Sequence, residues 1–286
     1  MTLPDTLQVS CVQMHWAKPL ERNLELTLDY IRLAAEEGSR VVLFPEANLT
    51  SYYFPYLLTL PRRVVREALA EVQGAVARAG LWAIVGTIQN TDDRCLNVAH
   101  VIDPTGRIVY EYAKTHLAGE DERKYCRPGN KIAWFELDGI PCALAICRDG
   151  RHPELYRLPA MAGAKIFWHP SCSSDTIEAV HWKRVSGRAQ QPIGPTTMIF
   201  HCVANTVGQS PDGAQTSSGQ SFIRDAAGLP LAEAGENEET MITAVLQLQR
   251  ATGYYALDSL DRPAFLRPHW DALIADMKAR ADEPVA

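Results

Sequence analysis

A cysteine stands at the point where a buried strand is predicted to end. Cys147 follows the apolar run at 143–146. A turn that contains Gly150 comes next, and Pro153 then begins a predicted helix. A thiol at such an elbow is open to substrate, so its thiolate can attack an electrophilic carbon. We predict that Cys147 is a nucleophile, against the alternative of a buried structural thiol.

Two charged side chains also follow predicted strands. Glu46 comes just after the apolar strand at 41–44, and Lys114 directly follows the strand at 108–113. Because α/β sheets gather their sites at the carboxyl ends of strands, we expect both side chains to meet Cys147. A glutamate can accept the thiol proton, and a lysine can stabilise the oxyanion of a tetrahedral intermediate. The alternatives are a capping carboxylate and a solvated charge at a strand end.

Strand-like and helix-like segments alternate along the chain and must position these side chains. Helices are predicted where apolar residues recur with helical spacing, and strands where short apolar runs lie between turns. The turn at 103–106 predicts a hairpin in the first half, and a second hairpin mirrors it late in the chain. The predicted strands are 7–13, 41–44, 81–86, 96–102, 108–113, 134–137, 142–146, 165–168, 198–205, 219–223 and 229–234, and the predicted helices are 20–37, 64–79, 153–162 and 179–189.

The repetition of these elements in the two halves of the chain predicts an α/β fold. Two similar halves imply two sheets packed face to face with helices outside, a four-layer αββα sandwich with two pseudo-symmetric halves. No linker rich in glycine, serine or proline separates the halves, so we predict one domain over residues 1–286. Residues 253–286 carry aromatic side chains in a polar segment, which predicts a C-terminal extension that packs on the domain or on a partner subunit.

Composition and charge argue against several classes of protein. The chain has 286 residues, of which 47% are hydrophobic and 22% charged, and these proportions are typical of a globular protein. A net charge of -6 argues against nucleic acid or an anionic membrane as the main partner. No apolar run approaches the roughly 18 residues that span a bilayer, and we expect no signal peptide in residues 1–8.

The cysteines and histidines do not predict a metal site or a disulfide framework. The seven cysteines are irregularly spaced and include no Cys-x-x-Cys pair. This usage favours a reducing, cytoplasmic setting. The histidines form no His-x-x-x-His pattern, and we expect neither a metal nor another cofactor.

The segments around Glu46, Lys114 and Cys147 resemble the nitrilase superfamily of carbon–nitrogen hydrolases. The resemblance implies an αββα fold and a Glu-Lys-Cys triad. It also implies that Glu46 is the general base, that Lys114 stabilises the intermediate and that Cys147 is the nucleophile. The matching segments are 44–52, 97–117 and 147–163, in the family's order, and the resemblance extends over residues 9–245.

The resemblance further implies a second glutamate and a second oxyanion donor. Many members carry a glutamate ahead of a Tyr-Phe-x-Pro-Gly stretch, which here reads Tyr125-Cys126-Arg127-Pro128-Gly129. Counting back from the proline gives Glu122 as the match and Glu120 as the alternative. Both also belong to a charged run that is typical of a solvated surface. The backbone N–H of Arg148 is the implied second oxyanion donor.

The residues after the nucleophile narrow the subtype that the resemblance implies. True nitrilases usually carry Cys-Trp-Glu at the elbow. Amide- and carbamoyl-cleaving branches carry Cys-x-Asp, followed by arginine and Pro-Glu. The segment at 147–154 reads Cys-Arg-Asp-Gly-Arg-His-Pro-Glu, so cleavage of an amide is favoured over cleavage of a nitrile.

The remaining pocket residues are predicted from side-chain type. Tyr52 and Trp182 are expected to line the substrate pocket, with a role in the core as the alternative. Cys126 and His152 stand where the family commonly carries aromatic residues, and we expect them to reshape the pocket. The candidates for contact with a substrate carboxylate are Arg127, Arg148 and Arg151. The residues expected to form a hydrogen-bonded scaffold under the elbow are Asp149, Arg151, Glu154 and Arg157.

The resulting hypothesis is a thiol hydrolase that cleaves a small linear amide or N-carbamoyl compound and releases ammonia through a cysteine acyl-enzyme. Its partner is a small molecule, and the family implies a homodimer or a higher homo-oligomer. The alternatives are a nitrilase that converts a nitrile to an acid and a non-catalytic binding or scaffold protein with the same fold. Cys147 is expected to react with an alkylating reagent faster than the other cysteines.

Overall fold

Two β-sheets lie face to face at the centre of the structure, a computed structural model that describes residues 3–185, 193–261 and 264–285. The strands are β1 (Thr6–His15), β2 (Val41–Leu43), β3 (Trp82–Asn90), β4 (Cys95–Ile102), β5 (Ile108–Ala113), β6 (Ala133–Leu137), β7 (Ile140–Leu144), β8 (Ile166–Pro170), β9 (Ser174–Thr176), β10 (Phe200–Ala204), β11 (Thr206–Val207), β12 (Gln215–Ser217), β13 (Phe222–Arg224), β14 (Pro230–Glu233) and β15 (Thr240–Gln247). The helices are α1 (Leu20–Glu36), α2 (Phe54–Leu57), α3 (Arg62–Ala79), α4 (Gly119–Tyr125), α5 (Glu154–Met161), α6 (Ile177–Val185), α7 (Ile193–Thr197), α8 (Tyr254–Asp261) and α9 (Arg267–Ala279).

The first sheet has the strand order β11-β1-β2-β3-β4-β5, and β15 pairs with β1. β2 is parallel to both of its neighbours and is buried on both faces. Val41 and Leu43 face the second sheet, whereas Val42 and Phe44 pack with the residues of α1 and α3. A continuous apolar run is therefore needed here, because successive side chains enter two different cores.

The second sheet has the strand order β14-β13-β10-β8-β7-β6. β8 is parallel to β7 and β10, and antiparallel strands lie at both edges. Side chains of both sheets meet in one apolar core, to which β1 contributes Val9 and Cys11 and the second sheet contributes Trp168 and Cys202. Helices α5, α7, α8 and α9 cover the outer face of the second sheet. The predicted αββα sandwich is therefore confirmed.

The two predicted hairpins are present and have the same turn. Asp103 follows β4, and its Oδ1 accepts hydrogen bonds from the backbone N–H groups two and four residues later, at 2.9 and 3.0 Å. Asp225 follows β13, and its Oδ1 accepts the equivalent bonds at 2.9 and 2.8 Å. The carboxylate of an Asx-type turn thus fixes both hairpins, as the mirrored sequence pattern predicts.

Several elements differ from the sequence predictions. β15 was not predicted, although it pairs antiparallel with β1 along Thr6–Gln13 and joins a segment of the second half of the chain to the first sheet. Its side chains are mostly half-buried, and the apolar residues at 241–246, interrupted only by Thr243, are a strand signal that the sequence analysis did not use. The helix predicted at 179–189 begins at Ile177, and the structure describes it to Val185; residues 186–189 of that prediction lie outside the described residues.

The described part of the C-terminal segment packs on the second half of the chain. Ala256 in α8 and Met277 in α9 are buried against residues of α5. The Lys131 ammonium donates hydrogen bonds to the carbonyls of Ala281 and Glu283, at 3.0 and 2.6 Å. None of the helices within residues 3–185, 193–261 and 264–285 is both long enough and apolar enough to cross a membrane.

Candidate active site

Lys114 lies at the carboxyl end of β5 with its side chain completely buried. Its Nζ is 2.6 Å from Oε1 of Glu46, which follows β2, and 2.9 Å from Oε2 of Glu122, which lies in α4. Both carboxylates are also buried. The structure therefore brings together three of the predicted site residues from separate elements. Glu120, the alternative to Glu122, is exposed on α4.

Asn97 joins the two carboxylates and was not among the predicted site residues. It lies on β4, and its Nδ2 donates to Oε1 of Glu46 and to Oε1 of Glu122, each at 2.7 Å. The sequence shows only an asparagine among the apolar residues of the strand predicted at 96–102, which does not identify its partners; in the structure every residue of β4 is buried. A buried amide must find hydrogen-bond partners, and a strand-end carboxylate nearby is a suitable one.

The burial of this cluster shifts the pKa values of its members. Burial raises the pKa of Glu46, and the nearby charge of Glu122 adds to this effect, against the opposing charge of Lys114. Burial alone would lower the pKa of Lys114, but the charge of Glu46 and the other acidic neighbours hold it well above its ordinary value. Lys114 is therefore a fixed cation, and Glu46 is a carboxylate that takes up a proton more readily than usual.

Cys147 begins a short 3-10 helix, Cys147–Arg151, directly after the core strand β7 and its apolar continuation. Its φ of 48° lies in the left-handed region, which a residue with a side chain rarely adopts. Such strain at a strand-to-helix turn is typical of a nucleophile elbow. Cys147 is partly exposed, whereas the other six cysteines are buried.

Burial and the charge of Glu46 raise the pKa of the Cys147 thiol to about 11, and Lys114 opposes them. This raised pKa favours the protonated thiol at neutral pH, so a reaction that used the sulfur as a nucleophile would need a base to remove the proton. Its Sγ lies 3.7 Å from the carbonyl oxygen of Cys172, and a hydrogen bond with the Ser171 side chain favours the thiolate. The expectation that Cys147 labels fastest remains a prediction, and its partial exposure is what now supports it.

Asp149 connects the elbow to the end of β5. Its Oδ2 accepts hydrogen bonds from the Ile146 N–H at 3.2 Å and from the Tyr112 hydroxyl at 2.8 Å. Its Oδ1 accepts the His116 N–H at 2.7 Å. One buried carboxylate thus holds both the residue before Cys147 and the residues after Lys114, as the scaffold prediction for Asp149 requires.

The other predicted scaffold residues lie elsewhere. Arg151 lines the pocket instead of supporting the elbow from below. Glu154 is exposed at the start of α5, and Arg157 donates a hydrogen bond to Ser259 in α8. These side chains lie on the pocket wall, at the exposed start of α5 and against α8, positions that the order of residues along the chain does not reveal.

A cavity of about 480 Å³ opens beside the elbow. Cys147 and Glu122 reach its wall, whereas Glu46 and Lys114 are buried below its surface. Tyr52 lines the cavity as predicted, and its ring centroid lies 5.6 Å from Nζ of Lys114. The volume suits a small molecule, and the wall is a mixture of polar and aromatic groups.

Three predicted pocket residues are placed outside this wall. Trp182 is 58% exposed on α6, and the described residues that line the cavity include its neighbour Lys183 instead. Cys126 is completely buried and pairs with Cys95 in an isolated β-bridge. His152 stacks on His116 with ring centroids 3.4 Å apart. The side chains of Cys126 and His152 therefore do not shape the cavity directly.

One group of side chains in the described chain has the donor atoms of a metal site. His116, His152 and Glu154 place a ligand atom each within 4.8 Å of one another. The two imidazole planes, however, are only 10° from parallel at a centroid distance of 3.4 Å. An ion bound to a ring nitrogen lies near the plane of that ring, so one ion cannot satisfy both rings in this arrangement. The predicted absence of a metal remains a prediction.

Comparison with known proteins gives the site its context. The model of the carbon-nitrogen hydrolase family matches residues 8–256. The chain is 30% identical over 250 residues to a 2-oxoglutaramate amidase of Bacillus subtilis, covering 85% of this chain and 92% of the relative. It is 22% identical to the omega-amidase NIT2 of Mus musculus, covering 86% of this chain and 90% of the relative.

Solved structures agree with the fold. An amidase from Nesterenkonia sp. AN1, which carries the product of acrylamide addition at its active-site cysteine, superimposes with a TM-score of 0.77 at 23% identity. The match covers 92% of this chain and 99% of that one. At this level of identity the likeness establishes the shared architecture, and the chemistry of the present chain is argued from its own residues.

Proposed function

The chain belongs to the carbon-nitrogen hydrolase family, and we propose that it hydrolyses amide bonds with Cys147 as the nucleophile. The proposed substrate is a small linear amide that also carries a carboxylate. The observation that carries the proposal is the position of the Lys114 ammonium, buried between Glu46 and Glu122 beside the cysteine elbow. A buried charge in this fixed geometry is suited to stabilising charge that develops in a transition state.

The first half of the proposed reaction forms an acyl-enzyme. Glu46 accepts the thiol proton of Cys147, and the sulfur attacks the amide carbon to give a tetrahedral oxyanion. A lysine ammonium has three N–H donors, and Nζ of Lys114 lies 2.6 Å from Oε1 of Glu46 and 3.1 and 2.9 Å from the two oxygens of Glu122. In the proposed reaction the two oxygens of Glu122 share one N–H, and the third N–H donates to the oxyanion. The Arg148 N–H belongs to the first turn of a short helix, where such groups lack a partner within the turn, and is the second donor.

The second half releases the products. Glu46 returns the proton to the leaving nitrogen, the C–N bond breaks and ammonia departs. Water then attacks the thioester while Glu46 accepts its proton. Collapse of the second oxyanion breaks the C–S bond and frees the carboxylic acid, and Glu46 returns its proton to the sulfur, which restores the thiol. The second oxygen of Glu46, Oε2, is buried and has no hydrogen-bond partner among the described residues, so it is available for these transfers. Glu122 holds Lys114 and positions the substrate.

Two arginines support a carboxylate-bearing substrate. Arg148 and Arg151 both line the cavity and both are exposed. Within the described residues, neither guanidinium has a hydrogen bond or an ion pair. A free guanidinium is a strong bidentate partner for a carboxylate. Arg127, the third candidate, is not among the described residues that line the cavity, and its Nε lies 3.9 Å from Oδ1 of Asp93. The monoamide of a dicarboxylic acid, such as 2-oxoglutaramate, is therefore the proposed substrate class.

The test is ammonia release from a panel of small compounds. It contains 2-oxoglutaramate and glutaramate, the uncharged butyramide, an N-carbamoyl amino acid and an aliphatic nitrile. We expect turnover of the monoamides, and its loss by several powers of ten in Cys147→Ala. Full turnover in Cys147→Ala, with Cys172→Ala as the control, would contradict the assigned nucleophile.

Charge recognition is tested separately with Arg148→Gln and Arg151→Gln. These substitutions keep the backbone N–H of residue 148 and remove only the guanidinium. We expect KM for the monoamides to rise about tenfold, which corresponds to the loss of ~1.4 kcal/mol, while KM for butyramide is unchanged. Equal effects on charged and uncharged amides would contradict recognition of a carboxylate.

We also propose a reducing, cytoplasmic location and a homo-oligomer. All seven cysteines are free thiols, which suits a reducing compartment. Tyr254, Tyr255 and Phe265 are 60%, 50% and 73% exposed in the C-terminal segment, and exposed aromatic residues of this kind favour a subunit contact. Light scattering of the purified protein measures the oligomeric state, and a monomer at micromolar concentration would contradict the second proposal.

A further inference from the structure

Two buried histidines form a chain of hydrogen bonds behind the nucleophile. Nε2 of His169, at the end of β8, lies 2.9 Å from the carbonyl oxygen of Cys147. Nδ1 of the same ring lies 3.2 Å from Nε2 of His201, on β10. His169 is 4% exposed and His201 is 1% exposed. The rings of Phe167 and Phe222 pack around the pair, so solvent does not reach His201.

The Cys147 carbonyl, at the end of this series of hydrogen bonds, determines which imidazole nitrogens carry protons. A carbonyl oxygen only accepts, so His169 must carry its proton on Nε2. Burial lowers the pKa of His169 and holds that of His201 well below its ordinary value, so both rings are neutral at pH 7. Nδ1 of neutral His169 is then an acceptor, and it receives the Nε2–H of His201. Nδ1 of His201 is an acceptor with no partner among the described residues.

The Cys147 carbonyl is one end of a rigid unit whose other end is the Arg148 N–H. In a planar trans peptide the two groups point in opposite directions, so a donor that fixes the carbonyl also fixes the N–H. The short 3-10 turn directs the Cys147 carbonyl toward the N–H three residues later, with the poor geometry typical of such turns. Because Cys147 has a strained φ of 48°, a second donor on this carbonyl helps to hold the peptide in place.

We propose that His169 is a positioning residue that holds the Cys147–Arg148 peptide so that the Arg148 N–H faces the developing oxyanion. His201 fixes the tautomer of His169 that this hydrogen bond requires. The inference rests on the proposed function, since it takes Cys147 as the nucleophile and the Arg148 N–H as an oxyanion donor. Donation to the carbonyl also polarises the same peptide and makes its N–H a stronger donor.

The first experiment compares His169→Phe with His169→Gln. Phenylalanine fills the space of the ring without a donor, whereas the glutamine amide can place an N–H near the position of Nε2. Loss of an oxyanion-hole donor lowers kcat by about 10²–10³-fold in a known case, so misalignment of the donor in His169→Phe is expected to lower kcat by about 10- to 100-fold. KM for a monoamide is expected to stay within about threefold, and His169→Gln to recover most of kcat.

Alkylation of Cys147 by 2-iodoethanol separates this role from general support of the elbow. That displacement puts no charge on a carbonyl oxygen and therefore does not use the oxyanion hole. We expect the alkylation rate of His169→Phe to equal that of the wild type while kcat falls. If the alkylation rate and kcat fall together, His169 positions the thiol itself. If kcat is unchanged in His169→Phe, the hydrogen bond to the Cys147 carbonyl does not contribute to catalysis. Either result overturns the proposal.

The tautomer is measured on the wild-type protein, where the stability of a variant does not matter. Long-range ¹H–¹⁵N spectra of the imidazoles, assigned with His169→Gln and His201→Phe, are expected to show both rings protonated on Nε2 at pH 7. A Nδ1–H tautomer of His169 would overturn the proposal. Cys147→Ala distinguishes the two levels of inference. If Cys147→Ala does not turn over a monoamide and His169→Phe does so at the wild-type rate, only the positioning role is refuted. If Cys147→Ala turns over the monoamide, the proposed nucleophile is refuted.

Discussion

The central parallel strands of the two halves end in a similar way. In the first half β2 leads into Phe44-Pro45-Glu46, and in the second half β8 ends with His169-Pro170 and is followed by Ser171. In each case a proline, which has no N–H for the sheet, comes just before a buried polar side chain. Glu46 is 2% exposed and Ser171 is 6% exposed.

The chemistry presented by these two strand ends is different. Glu46 is a carboxylate that accepts a hydrogen bond from Lys114, whereas Ser171 is a neutral hydroxyl that interacts with the Cys147 thiol. The backbone of one half is thus repeated in the other, but only one copy carries an ionisable group. A pseudo-symmetric fold supplies two polar positions at strand ends, and the residue type at each position decides which of them can transfer a proton.

The largest expected effect separates these two positions directly. Glu46→Gln keeps the size of the side chain and removes the proposed base, so kcat for a monoamide is expected to fall by about 10²–10⁴-fold. Ser171→Ala removes one hydrogen bond to the thiol, and the expected fall is about tenfold, or ~1.4 kcal/mol. Steady-state ammonia release measures both, and similar losses in the two variants would contradict the different roles.

The next largest effect is expected on the free energy of unfolding when a buried charge of the first half is removed. Lys114→Met leaves Glu46 and Glu122 together without a cation, and removal of one partner from a buried ion pair destabilises a protein by about 3–5 kcal/mol. Lys131→Met is the control, because the hydrogen bonds of its ammonium go to the carbonyls of Ala281 and Glu283. We expect a smaller loss there, of about 1–3 kcal/mol.

The pH dependence of Lys114→Met identifies the cause. Two neighbouring carboxylates without a cation raise the pKa of one of them in the folded state. Folding of the variant is then favoured as the pH falls, because the folded state binds a proton that the unfolded state releases. Urea unfolding at pH 5 and pH 7.5 should therefore show a smaller loss of stability at pH 5. A loss that does not change with pH would point to packing instead of charge.

The two hairpin turns should lose the same backbone hydrogen bonds, in contrast to the strand ends, although Asp103 also accepts hydrogen bonds from the side chains of Thr105 and Arg107. Asp103→Ala and Asp225→Ala each remove a carboxylate oxygen that accepts two backbone N–H groups. We expect each variant to lose about 1–2 kcal/mol of the free energy of unfolding. Chemical denaturation measures both values, and activity should be unaffected at a temperature where each variant is folded. A large difference between the turns would break the structural equivalence of the halves.

The smallest effect is the acid sensitivity of the first turn. Burial alone would raise the pKa of Asp103, but hydrogen bonds from Thr105 and Arg107 lower it to about 2. A lowered pKa stabilises the fold above the ordinary value of 3.8, and this contribution is lost as the pH falls toward 2. Asp103→Asn keeps an acceptor oxygen but does not titrate. The difference in Tm between wild type and variant should narrow between about pH 4 and pH 2, and a constant difference would contradict the assignment.

Residues that follow apolar strands were predictable from the sequence, and residues within strands were not. Glu46, Lys114 and Cys147 each come just after an apolar run, and the order of strands in an α/β sheet brings such positions to one edge. Asn97 and His169 lie inside strands, where the sequence does not reveal which neighbouring strand their side chains face. Trp182 was misplaced for a related reason, because an aromatic residue on a helix gives no sign of which side faces a cavity.

The sequence by itself determined the layered α/β architecture, the two hairpins and the elbow, because apolar periodicity and turn residues act locally. The tertiary structure decided which of Glu120 and Glu122 meets Lys114, since a turn of helix α4 buries one carboxylate and exposes the other. It also decided that β15 returns to pair with β1 and that His201 lies behind His169. These contacts join residues that are distant in the chain, and their energies depend on distances that only the packed sheets fix.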